Sequence, residues 1–147
     1  MPTKIEWADE VWNPITGCSK ISPGCANCYA ERFAKRLAGR CGYPQDNPFQ
    51  IKVHDDRLEN IDFGKKPKRI FVCSMGDLFH SFVPKAAIDN VLEIIAAHPQ
   101  HTFIVLTKRP DNIDGMLYDP DPETAPAREL GGGDYLPNLW IGISAEN

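Results

Sequence analysis

Four short apolar runs punctuate the chain, at residues 11–15 (VWNPI), 69–75 (RIFVCSM), 102–106 (TFIVL) and 139–143 (LWIGI). The last three are continuous rather than alternating, the mark of strands buried on both faces, as in parallel sheets. The first carries Pro14, which cannot donate to a ladder, so a short strand broken near that proline is expected. Between the runs the period becomes helical. Residues 26–40 (ANCYAERFAKRLAGR) put Tyr29, Phe33 and Leu37 at i, i+4 and i+8 and stop near Gly39. Residues 84–99 place Ile88, Val91, Leu92, Ile95 and Ala96 on one face, ended by Pro99. A weaker turn or two follows Pro110, with Ile113, Met116 and Leu117 at helical spacing. Residues 118–138, rich in proline, glycine and charge, read as a surface loop. Residues 41–68 show no long element beyond a small hairpin around 49–58 (FQIKVHDDRL).

Strands separated by helices imply parallel βα units, hence an α/β fold; an open doubly wound sheet and a β/α barrel both satisfy the order. A full eight-unit barrel takes about 250 residues, and this sequence of 147 stops just after its fourth apolar run. The expectation is a single domain over residues 1–147 that forms part of a β/α architecture, truncated after the fourth strand.

Composition changes this picture little. Apolar residues make up 42% and charged residues 24%, ordinary values for a globular chain. No run approaches the roughly 18 apolar residues of a membrane helix, and the N-terminus (MPTKIEWADEVW) lacks a secretory plan, so a cytoplasmic location and no membrane partner are expected. The net charge of −4 does not support nucleic acid as a partner. The basic run at 65–69 (KKPKR) reads as a solubilising lead-in to a strand.

Cysteine usage changes the picture more. Five cysteines are an odd number, and in a reducing compartment a metal site is favoured over a disulfide framework. Cys18, Cys25 and Cys28, separated by six residues and then two, occupy a loop after the first strand. Such loops carry the ligand sites of parallel α/β folds. A structural zinc ion takes four protein ligands, and three thiolates leave a position open. Cys41 is the nearest further thiol, but a helix of about ten residues carries it roughly 15 Å away. An iron–sulfur cube on three cysteines keeps one iron free for a small molecule, which suits a catalytic centre. Zinc on the three cysteines plus Cys41 or a histidine remains the alternative, in a non-enzymatic phage or host interaction module. An inactive enzyme fragment is another.

The stretches WNPITGCSKISPGCANCYAER, VCSMGDLF, LTKRP and GISAEN resemble a phage-encoded family of uncharacterised function that belongs with the radical S-adenosylmethionine (SAM) enzymes. The resemblance implies a partial, half β/α barrel of radical-SAM type. It also implies a [4Fe–4S] cluster on Cys18, Cys25 and Cys28, with SAM on the unique iron. The implied activity is generation of a 5′-deoxyadenosyl radical that acts on a substrate the sequence does not name. The common radical-SAM spacing is three residues then two, with an aromatic before the last cysteine; here Asn27 precedes it and Tyr29 follows. SAM carries an α-ammonium, for which a glycine and a following carboxylate supply acceptors. Ser74, Gly76 and Asp77 match the family's amino-group motif. Lys108 and Arg109 close the third strand; they read first as solvated charges, with pairing to the SAM carboxylate or a substrate anion as the alternative. Ser144 and Glu146 close the fourth, in the place of ribose-binding groups. His54 and His80 are weighed as ligands or proton donors, Cys73 as a small buried hydrophobe, and Trp12 and Phe79 as core. The uncovered face of the last strand leads to an expectation of self-association and of poor SAM binding by this chain alone.

Overall fold

The structure, a computed structural model, describes residues 3–59, 61–117 and 136–144. The first apolar run breaks at the proline, as expected. Glu10–Trp12 form β1, and Ile15–Thr16 form β2, which leaves the main sheet and pairs antiparallel with β3 (Lys52–Val53). The hairpin expected within 49–58 does not form. Its strand pairs with β2 instead, the Pro14 carbonyl accepts the His54 N–H at 2.8 Å, and Asp56–Glu59 coil into α2. The remaining runs become β4 (Arg69–Val72), β5 (Thr102–Thr107) and β6 (Leu139–Ile143).

Strands β1, β4, β5 and β6 make one parallel sheet and lie side by side in chain order. The register aligns Val11, Phe71, Ile104 and Trp140 across it. The α/β class and the parallel βα units are therefore present. Helix α1 (Tyr29–Arg36) follows a 3₁₀ turn at Pro23–Asn27, α3 (Lys85–Ala97) links β4 to β5, and α4 (Ile113–Leu117) follows a 3₁₀ turn at Pro110–Asn112.

Helix α3 uses the face its sequence predicts: Ile88, Val91, Leu92 and Ile95 are buried. They share a core with Ile70, Val72, Phe103 and Val105 on one side of the sheet. Trp12 and Phe103 pack edge-on around Phe63, with centroids 5.4 Å away in each case. Trp12 and Phe79 are core residues, as expected.

Two expectations are corrected. Strand β5 is not buried on both faces: Phe103, Val105 and Thr107 are buried, while Thr102, Ile104 and Leu106 are only half-buried. Among the described residues α3 covers a single face, which explains the alternation. On β6, Trp140 is 62% exposed and Ile143 60%. The second correction concerns α1. Tyr29 and Phe33 stand 49% exposed, and the helix buries Ala30 and Ala34 against Tyr43 and Met75. Spacing reveals which residues share a face, whereas the neighbour decides which face turns inward, and here the approach is close enough to favour methyl groups. Among the described residues no helix is long and apolar enough to cross a membrane.

Candidate functional site

The carboxyl ends of the parallel strands hold most of the chemistry. Two glycines bring the cysteine loop against the turn after β4. Gly17 donates its N–H to the Met75 carbonyl at 2.9 Å. It adopts φ +91°, and a Cβ there would lie 2.1 Å from the Gln50 carbonyl oxygen. A Cβ on Gly76 would meet the Gly17 oxygen at 2.9 Å. A side chain at Gly76 would prise the two segments apart, and one at Gly17 would push the loop off the Gln50–Ile51 backbone. Asn13 secures the same turn, because its Oδ1 accepts the Ser74 hydroxyl at 3.1 Å and the Met75 N–H at 3.0 Å.

Asp77, only 4% exposed, is the hub. Its Oδ1 accepts the Phe79 N–H at 3.0 Å and the Thr107 hydroxyl at 2.8 Å. Its Oδ2 accepts the Lys108 N–H at 3.2 Å and Arg109 Nη1 at 3.3 Å. Four donors from this chain already occupy the carboxylate, so its immediate job is to clamp the end of β5 to the end of β4 and to aim Arg109. That guanidinium reaches the cysteine loop. Nη1 lies 3.3 Å from Cys18 Sγ, and Nη2 donates to both the carbonyl and the hydroxyl oxygen of Ser19 at 3.0 Å. The geometry thus brings together Cys18, Asp77 and the pair Lys108–Arg109, from three different strand ends.

His80 completes the network. The Phe82 N–H donates to its Nδ1 at 3.1 Å, which puts the ring proton on Nε2, and Nε2 donates to Ser19 Oγ at 2.7 Å. Burial and the nearby Arg109 charge push the His80 pKa below its usual 6.5. Ser19 Oγ then accepts two hydrogen bonds, and its own O–H has no acceptor among the described residues. It borders a cleft of ≈ 410 Å³ lined by Cys18, Ser19, Phe49, Gln50, His80 and Phe82, among others.

The three loop cysteines are free thiols, each half-buried. Burial raises the Cys18 pKa, against the pull of Arg109. Cys25 is lowered to about 7, first by the Ser22 hydroxyl and then by the Ile21 backbone. Soft thiols on one loop are the donor chemistry that an iron–sulfur cluster or zinc requires. The loop holds them in sequence but does not gather them. Among the described residues no three His, Cys, Asp or Glu side chains are grouped to hold a metal ion. The 3₁₀ turn between Cys18 and Cys28 buries none of its residues, so little packing opposes its rearrangement.

The other sequence candidates fall in separate places. Ser144 is exposed at the end of β6 and donates its N–H to the Thr107 carbonyl at 2.9 Å. Glu146 lies outside the described residues, as does most of the loop expected at 118–138. His54 is buried with its Nε2 2.7 Å from Thr16 Oγ1, and burial together with Arg57 and Lys52 lowers its pKa to about 4. Cys73 is a buried thiol whose pKa burial pushes up to about 12, in keeping with an inert core residue. Cys41 is exposed. Asn13, Ser19 and Thr107 were not singled out by sequence reasoning. Ser19 adjoins Cys18 in the chain, but Asn13 contacts a residue 61 positions away, which no local pattern signals.

A family model described as "Protein of unknown function (DUF5131)" matches residues 2–147. No curated protein and no solved structure matches the chain.

Proposed function

We propose that this chain, which belongs to the DUF5131 family, is an iron–sulfur, SAM-dependent radical enzyme or the N-terminal half of one, on half of a β/α barrel of radical-SAM type. One observation carries the reading. At the carboxyl edge of a parallel sheet whose strands follow chain order, a loop with three free cysteines abuts the turn containing Ser74, Gly76 and Asp77. Ligand sites in parallel α/β folds lie at that edge.

Cys18, Cys25 and Cys28 would hold the cluster. The chemistry such a group would supply, once reduced by an external one-electron donor, is reductive cleavage of the SAM sulfonium to methionine and a 5′-deoxyadenosyl radical able to take hydrogen from a substrate. The chain's own residues prepare the place. Arg109, aimed by Asp77, donates toward Cys18 Sγ and offsets part of the burial that raises its pKa. His80 and Arg109 together fix Ser19, whose O–H is left to meet an acceptor on a ligand in the cleft. The turn at Ser74, Gly76 and Asp77 would lie beside the SAM amino group, with Asp77 acting through its clamp on the strand ends rather than as an open acceptor; Lys108 would meet the SAM carboxylate, and Ser144 with Glu146 its ribose.

Anaerobic reconstitution with iron and sulfide tests the reading. About one four-iron cluster per chain is expected, visible as brown colour with absorbance near 400 nm. It should be lost when Cys18, Cys25 or Cys28 becomes Ala and retained in Cys73→Ala. Stoichiometric zinc after anaerobic purification, with no uptake of iron, would overturn the proposal in favour of a zinc-binding interaction module.

A further inference from the structure

The outward face of α1 is unlike the rest of the surface. Tyr29, Arg32, Phe33 and Arg36 follow one another at i, i+3, i+4 and i+7 and are all exposed, so they form a single stripe along the helix. Arg36 lies over the Phe33 ring at 5.8 Å. The Tyr29 hydroxyl donates to the Ser74 carbonyl at 2.9 Å, which fixes that ring beside the turn after β4. From Tyr29 to Arg40 the chain carries four cations (Arg32, Lys35, Arg36 and Arg40) against the single carboxylate of Glu31. That is a local surplus of three positive charges in a chain whose net charge is −4. Glu31 is engaged by Lys35 at 2.9 Å and Lys20 at 3.5 Å. Among the described residues, no carboxylate lies within salt-bridge distance of Arg32, Arg36 or Arg40.

We infer that this stripe binds single-stranded nucleic acid. Three features select that occupant. Side chains four apart on a helix stand about 5–6 Å from one another, a separation that two successive unstacked bases can span while each covers one ring. Every base has a face to stack on an aromatic side chain, and Arg32 between the rings and Arg36 beyond them meet the phosphates. The local charge opposes that of the chain as a whole, and in the other basic run, 65–69, Lys68 and Arg69 are paired with Glu10 and Asp9, so the attraction is concentrated on this helix. Because α1 begins directly after Cys28, a strand lying along it passes the cysteine loop. The inference does not depend on what that loop holds.

Fluorescence anisotropy with a labelled oligothymidine of about a dozen nucleotides tests the inference on the full 147-residue chain. Binding should weaken as salt rises, with a log–log slope of about −0.7 per phosphate engaged. Phe33→Ala should lower affinity roughly 5- to 100-fold, the loss of one stacked base. The pair Arg32→Glu and Arg36→Glu should abolish binding and Arg32→Lys with Arg36→Lys should largely retain it, with circular dichroism showing each variant folded. Equal affinity for duplex and single strand, with no effect of Phe33→Ala, would overturn the stacking geometry and with it the inference. So would no binding of the oligonucleotide while polyglutamate binds and is lost on charge reversal; that outcome would assign the face to an acidic protein.

Discussion

Helix α3 turns Ile88, Val91, Leu92 and Ile95 into the core, whereas α1 turns in only Ala30 and Ala34 and leaves Tyr29 and Phe33 in solvent. At roughly 1.5–3 kcal/mol for each buried Ile, Leu or Val side chain, α3 gains up to about 6–12 kcal/mol from those four. The two alanine methyls of α1 contribute about 1–2 kcal/mol by the same measure. Helix α1 is therefore held by a smaller apolar contact, to which partly buried Cys28, Leu37 and Phe49 add, and by the hydrogen bond from the Tyr29 hydroxyl to the Ser74 carbonyl. The first region is built to stay put. The second keeps its cysteines and aromatic rings accessible because so little of it is committed to packing, and such weakly buried segments open most easily.

The largest contrast should come from equivalent truncations. Phe103→Ala, at a fully buried ring among Trp12, Phe63 and His101, is expected to cost about 3–5 kcal/mol in urea unfolding. Phe33→Ala should change stability by no more than about 0.5 kcal/mol. A comparable loss at both positions would mean that the outer face of α1 is packed after all.

Gly17→Ala strikes the joint between the two regions. With φ at +91° and the Gln50 carbonyl in the way of a Cβ, the substitution should cost roughly 1–3 kcal/mol. It should also speed amide exchange at Cys18, whose N–H donates to the Phe49 carbonyl at 3.2 Å. Unchanged exchange there would show that the loop is held elsewhere.

Acid should loosen the same side of the molecule first. His54 is neutral in the fold, with its pKa lowered from 6.5 to about 4 by burial and by Arg57 and Lys52, against the opposing pull of Asp55 and Asp56. A depressed folded-state pKa means that the stabilisation is complete above pH 6.5 and is lost as the pH falls toward 4. His80 shifts in the same direction. The urea midpoint should fall across that window, and His54→Gln should flatten part of the decline. An identical pH profile in the variant would remove His54 from the explanation.

A small expected effect is also the most local. Tyr29→Phe deletes the hydrogen bond to the Ser74 carbonyl and should cost about 0.5–1 kcal/mol. Hydrogen exchange should quicken across α1 while α3 stays protected. Equal loss in both helices would show that they open as one unit.

The sequence by itself determined the parallel strands, the break at Pro14, the buried face of α3 and the confinement of Cys18, Cys25 and Cys28 to one loop. Each of these is written in local terms: an apolar run, a proline without an N–H, a helical period, a spacing. Only the tertiary structure decided the orientation of α1, because its stripe at Tyr29 and Phe33 has the right period for a core but meets a neighbour with room for alanine alone. It also decided the role of Asp77. A glycine followed by an aspartate looks like an open acceptor until Thr107, Lys108 and Arg109 arrive from a strand some 30 positions later and take up its oxygens. Periodicity and spacing act within one segment, whereas burial, charge partners and the saturation of a carboxylate depend on which distant segments the fold brings into contact.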